Sequence, residues 1–231
     1  MVPPAKLHHF LFTFSRSANA GTIIMKLYGM AQSRSFRALW ALEETGIPYE
    51  YVPIKLLTDA ADSASSQNPD YLALNTQGKV PTLVDGDLIL TESAAIVNHI
   101  GRRAPKSRLV PAKDAIECAR YDEMMFFILA ELEQPLWSNG KHRFALPEAQ
   151  RIPQMLETAA FEFSKAVRAL DHLLGTCEYA IGDRFTMADI LLAQTFNWAI
   201  RFKFEVPERY VELRERHYQR PAAMRAMQVI A

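Results

Sequence analysis

The chain is poor in cysteine, in net charge and in long apolar runs. Its two cysteines, Cys118 and Cys177, form no close-spaced motif. That excludes a disulfide framework and a cysteine-based zinc site, and a reducing cytoplasm is the natural setting. Basic and acidic residues number 26 each, so neither nucleic acid nor an anionic membrane is the expected partner. No apolar run approaches the ~20 residues that a membrane-spanning helix requires. The six histidines show no metal spacing, since no pair sits three or four apart on a helix with a carboxylate, and no metal is expected. Acid is absent from the start of the chain until Glu43. Within residues 1–24 an apolar patch (Phe10, Leu11, Phe12, Phe14) precedes Ala18-Asn19-Ala20, but it is too short for a signal peptide and is interrupted by Thr13. An acid-free, basic start also has something of a mitochondrial transit peptide. The reading preferred over both is that Met25 is the physiological start, or that 1–24 is a disordered tail, and that this segment is dispensable.

What is present is 231 residues, 49% hydrophobic and 23% charged, enough for one large domain or two small ones with a real core. The most informative stretch is 75–83, Asn-Thr-Gln-Gly-Lys-Val-Pro-Thr-Leu, with Thr91-Glu92-Ser93 after it. Gly78 suits a turn, and Val80-Pro81 ends it as a strand begins. Asp85-Gly86 then separates the apolar runs Leu83-Val84 and Leu88-Ile89-Leu90, which predicts a two-residue hairpin. Pro81 either marks an edge position or follows a cis peptide bond in a specified turn. In the second case the backbone N–H and C=O of Val80 turn outward, where an extended peptide can pair with them. Glu92-Ser93 opens a helix through Ala95, Ile96 and Ile100, and a helix start favours anions. The combination suits a small zwitterionic peptide.

Elsewhere a strand over 23–28 leads through the loop Gly29-Met30-Ala31-Gln32-Ser33 into a helix. Phe36, Leu39 and Trp40 lie on one face of it, Glu43-Glu44 face solvent, and Gly46 ends it. A second strand follows near 49–52, and 58–68 is polar and irregular. With loop and an irregular helix expected over 58–68, the order of strand, helix, strand, irregular helix, hairpin and helix is thioredoxin-like. A right-handed crossover brings the Ser33 loop and the Val80-Pro81 turn to one end of the sheet. A basic linker, 103–111, separates 25–102 from an all-helical region, 112–231. There a helix over 112–139 is kinked or ended at Pro135. Another runs from about 148 to 174 across Pro153 and stops at Gly175. Thr186 and Asp189 form a capping box for a buried helix. No internal repeat is visible.

The series of glycine, Lys79, Val80-Pro81, hairpin and Glu92-Ser93, with the later capping box, resembles the cytosolic glutathione S-transferases over residues 24–231. The resemblance implies an α/β thioredoxin-like N-terminal domain followed by an all-α domain, and a homodimer. It implies glutathione as co-substrate, attacking an electrophilic, moderately apolar second substrate. Val80 would pair through its backbone, beside Pro81, with the cysteinyl unit. Glu92 would take the γ-glutamyl ammonium, Ser93 its carboxylate, and Lys79 would approach the glycine end. Ser33 stands where serine-type members carry the hydroxyl that meets sulfur. Glutathione-dependent reduction of a disulfide or peroxide is a variant of this reading, and a non-enzymatic interaction module is the alternative to it.

A free thiol has a pKa near ~8.5, and the thiolate is the nucleophile. Lowering that value by two units needs roughly 2.7 kcal/mol of preference for the anion, which a hydroxyl and a helix N-terminus supply together. Ser33 is alternatively the N-cap of the first helix, and Ser35 is its rival for sulfur. No cysteine lies in 29–36, so any redox chemistry runs through the sulfur of glutathione. Tyr28 is expected to be buried in its strand. Arg34 and Arg37 either attract an anion or coat the helix.

Overall fold

The computed structural model describes residues 24–56 and 58–230. The dispensable segment expected at 1–24 therefore lies outside the described residues, except for Ile24.

Strand β1 (Met25–Gly29) is followed by helix α1 (Ser35–Thr45), β2 (Tyr49–Pro53), α2 (Pro69–Leu74), β3 (Thr82–Asp85), β4 (Leu88–Leu90) and α3 (Ser93–Arg103). The sheet order is β2-β1-β3-β4. β1 runs parallel to β2 and antiparallel to β3, and β3 pairs antiparallel with β4. This is the thioredoxin-like arrangement. The hairpin turn falls one residue later than predicted. Leu88 pairs with Asp85, so Gly86-Asp87 make the turn, and Gly86 takes the left-handed φ of 61° that glycine adopts at no steric cost.

The rest is helical, with α4 (Ala115–Phe127), α5 (Glu133–Gly140), α6 (Gln154–Leu174), α7 (Met187–Arg201), α8 (Glu208–Tyr218) and α9 (Pro221–Val229). The single helix expected over 112–139 is interrupted at Ile128–Leu132 by a π-helical turn. Pro135 has no N–H to give the carbonyl of residue 131, and its ring crowds that carbonyl, so the widened turn sits just ahead of it. Pro153 likewise starts helix α6 at Gln154; it is not crossed by a helix from 148, where Glu148–Gln150 form only a 3₁₀ turn. Gly175 ends α6 as expected.

The capping box at the start of α7 forms. The Asp189 carboxylate accepts the Thr186 backbone N–H at 2.8 Å and the Ala180 N–H at 2.7 Å. It thereby ties the preceding loop to a helix whose residues from Met187 to Phe196 are all buried.

Helix α1 is the element that both halves share. Phe36, Leu39, Trp40 and Leu42 are buried, and the Trp40 ring meets Phe185 and Tyr218. Glu43 and Glu44 do not face solvent as expected. Glu44 receives Arg220, and Glu43 receives Arg225, both from the α9 region. Wedged under α9, these carboxylates are only 16% and 8% exposed. Tyr28 is half-buried, its ring 5.9 Å from that of Tyr71.

Candidate active site

The segment that precedes β3 is held from beneath. Tyr71 is buried on α2, and its hydroxyl donates to the Lys79 carbonyl. The Asn75 amide donates to the same carbonyl at 2.8 Å and to Thr82 Oγ1 at 3.1 Å. The Val80–Pro81 bond is cis, the second of the two alternatives at Pro81. Among the described residues the backbone N–H and C=O of Val80 have no hydrogen-bond partner. An unpaired backbone edge thus lies on the surface of an open cavity of about 470 Å³.

Lys79, Val80, Pro81, Glu92 and Ser93 all line this cavity. Glu92 adopts φ 66° and makes no cap hydrogen bond to α3. Left-handed backbone at a non-glycine residue costs of order 1–3 kcal/mol and concentrates at functional sites. The Glu92 carboxylate is not engaged in capping α3. Ser93 is buried, and its Oγ accepts from Arg37 Nη1 at 3.3 Å. That bond uses a lone pair and leaves the hydroxyl proton available. Ala94 and Ala95 complete the first turn of α3 at the cavity wall, where helix N–H groups have no intrahelical acceptor. Lys79 reaches Gln77 Oε1 at 2.9 Å at the open side.

Arg37 does not coat its helix. It is fully buried, donates to Gln194 Oε1 at 2.7 Å and Thr195 Oγ1 at 3.2 Å, and pairs with Glu133. Arg34 pairs with the other Glu133 oxygen. Burial opposes charge on Glu133, but Arg37 and Arg34 outweigh it and hold the carboxyl below its ordinary range. Burial also lowers Arg37, with Glu133 opposing; a guanidinium starts so high that it stays charged regardless. Sequence spacing gave no sign of this buried cluster, since Glu133 is 96 residues from Arg37.

Ser33 lies just ahead of α1, half-buried. Its Oγ donates to the Met30 carbonyl at 2.7 Å and accepts the Ser35 N–H at 3.1 Å. It therefore does satisfy a free amide of the helix start. Ser35 is 1% exposed, and its Oγ accepts from Met30 N–H. Ser33 does not join the residues of the first cavity; it opens onto a neighbouring one of about 310 Å³. Its neighbour Arg34 lines the first. The Arg34 guanidinium stands 5.5 Å from the Trp137 ring, on the first cavity, and 4.8 Å from that of Trp198, on the second. Arg34 is the partition between them.

A thioredoxin-like unit joined to a helical one, with an unpaired backbone edge and a helix N-terminus facing one cavity, defines the class of two-part proteins whose first half is thioredoxin-like. The N-terminal domain model of the glutathione S-transferases matches residues 24–102, and their C-terminal domain model matches residues 134–222. The chain belongs to the glutathione S-transferase family. It is 31% identical over 193 residues to glutathione S-transferase Z1 of Arabidopsis thaliana, covering 82% of this chain and 83% of that protein. It is 34% identical over 185 residues to a glutathione S-transferase of Triticum aestivum, covering 78% and 81%. The structure of a sphingomonad glutathione S-transferase complexed with glutathione superimposes with a TM-score of 0.75 at 26% identity, covering 89% of this chain and 98% of that one.

Proposed function

We propose that this glutathione S-transferase binds the tripeptide in the first cavity and directs its thiolate onto an electrophilic, moderately apolar second substrate. Glu92 takes the γ-glutamyl ammonium. Ser93 and the N-terminus of α3 take the γ-glutamyl carboxylate. Val80, held beside Pro81, pairs with the cysteinyl backbone, and Lys79 approaches the glycine carboxylate. The observation that carries this reading is the unpaired Val80 edge in one cavity with a strained, uncapped Glu92.

Ser33 stabilises the sulfur as thiolate. Its lone pair already serves the α1 amide, and its proton moves from the Met30 carbonyl to sulfur when the ligand arrives. Ser35 is too buried to do so. In this reading residues 25–102 bind the tripeptide, 112–231 cover it, and 103–111 join the two. A homodimer acting in the cytoplasm, with no metal, completes the assignment.

Calorimetry on Glu92→Ala tests the site. Loss of a charge-assisted bond should weaken glutathione binding by ~1.5–3 kcal/mol, roughly ten- to a hundredfold. Unchanged affinity in a folded variant would remove Glu92 from the site.

A further inference from the structure

We propose that the second cavity seats the electrophilic substrate and selects an organic carboxylate with a flat apolar body, its acid group held by Arg201 and Arg214. This rests on the reading of Ser33 given above, because Ser33 lines the second cavity and a thiolate held by its hydroxyl would face that space.

The cavity is built for an anion. Among the described residues it is lined by two arginines and by no aspartate or glutamate. Arg201 Nη2 donates to Gln32 Oε1 at 2.7 Å. Arg214 donates to Asn197 Oδ1 from Nη2 at 2.7 Å and from Nε at 3.2 Å. An amide oxygen orients a guanidinium without neutralising it, and most of the five N–H donors of each remain for a ligand. Arg209, Arg220 and Arg225 each have a carboxylate partner, whereas Arg216, also on α8, is held by the backbone carbonyl of Glu178. Arg34 and Arg37, next to the cavity, are both committed to Glu133. A planar guanidinium pair with unbalanced charge matches a planar carboxylate.

The walls fit a flat apolar body. Phe36 and Tyr218 stack at 5.6 Å, the Trp198 ring lies beside them, and Met227 and Ile230 close the side. Arg214 rests 4.5 Å over the Tyr218 ring, so the cation is fixed against the aromatic floor. The Tyr218 hydroxyl has no hydrogen-bond partner among the described residues. Burial pushes its ionisation well above the ordinary range in spite of Arg214, Arg37 and Arg201. It is thus a third donor at neutral pH. At about 310 Å³ the space is at the small end for organic ligands.

Two measurements test this. The first is binding, read by calorimetry with 2-naphthoate and with the isosteric neutral 2-naphthamide. The acid should bind at least tenfold more tightly. That preference should weaken with added salt, fall towards unity in Arg201→Gln and in Arg214→Gln, and survive in part in Arg214→Lys. Equal affinity for acid and amide, or an undiminished preference in both glutamine variants, overturns the proposal. If Arg214→Gln does not fold, the salt series and Arg201→Gln decide it.

The second is turnover of 4-(chloromethyl)benzoate against its methyl ester. The thiolate forms the carbon–sulfur bond as the carbon–chlorine bond breaks, and chloride leaves with the electron pair. The acid should exceed the ester at least tenfold in kcat/KM, and the two glutamine variants should erase the ratio. An acid that binds but only inhibits ester turnover overturns the substrate role. The binding measurement needs no thiolate. Preferential binding beside a thiol titration that Ser33→Ala leaves unmoved would uphold the anion site and reject the role of Ser33. Indifference to charge beside a thiol titration that Ser33→Ala does move would do the reverse.

Discussion

In the proposed mechanism Ser33 has two jobs, one at the start of α1 and one at sulfur. Accepting the Ser35 N–H engages a lone pair, while the proton is a separate resource, placed between the Met30 carbonyl at 2.7 Å and Ser35 Oγ at 2.9 Å. Ser33→Ala should therefore do two things. It should raise the pKa of the bound glutathione thiol, read by ultraviolet titration, while leaving affinity for S-methylglutathione nearly unchanged, because that ligand has no thiolate. It should also cost about 0.5–2 kcal/mol in a melt, as the loss of a cap does. Ser35→Ala is the control, and it should leave the thiol titration in place. If the titration moves in Ser35→Ala and not in Ser33→Ala, the hydroxyl has been misassigned.

At the scale of elements, α7 is anchored by the Asp189 half of its capping box, which also reaches the preceding loop. Asp189 is fully buried and accepts from two backbone N–H groups, those of Thr186 and Ala180. Removing it orphans both, at ~1–3 kcal/mol each. Asp189→Ala should thus lower the melting temperature well below that of Thr186→Ala, for which about 1 kcal/mol is expected. Equal effects of the two substitutions would show that the Ala180 contact carries no weight. The π turn ahead of α5 has the opposite character. It places Glu133, the first residue after the turn, under Arg34 and Arg37, so a break forced by Pro135 is where the helical half reaches the cavity.

At the scale of the molecule, Glu133 joins the two halves, because α1, α3, α5 and α7 all meet at Arg37. Glu133→Gln leaves a fully buried guanidinium without its counter-charge and should cost about 3–5 kcal/mol in urea unfolding. The pH dependence follows from the lowered carboxyl. Above the ordinary carboxyl value, 4.5, the folded and unfolded states are both ionised, and the stabilisation is fully present. As pH falls through the depressed folded value, Glu133 takes up a proton and the stabilisation is lost. Wild-type stability should fall over that acid range, and the glutamine variant should show a flatter acid limb. Identical acid limbs would show that Glu133 contributes nothing to acid unfolding.

The sequence by itself determined the four strands of the first half in their chain order, the hairpin to within one residue, the capping box, and which groups around Val80 and Glu92 line the first cavity. These are set over a few residues: Gly86 turns, Pro81 removes a donor, Glu92-Ser93 opens a helix, and Asp189 caps three positions away. Periodicity likewise placed Phe36, Leu39 and Trp40 in the core. Only the tertiary structure decided what Glu43, Glu44, Arg37 and Glu133 do. Charged residues carry no periodic mark of burial, and their partners are supplied by helices 96 to 182 residues away. It also placed Ser33 on a second cavity beyond Arg34. A loop fixes where a hydroxyl emerges, but which space it opens onto depends on the tryptophans and arginines that α5, α7 and α8 bring around it, and those contacts exist only after the halves have packed.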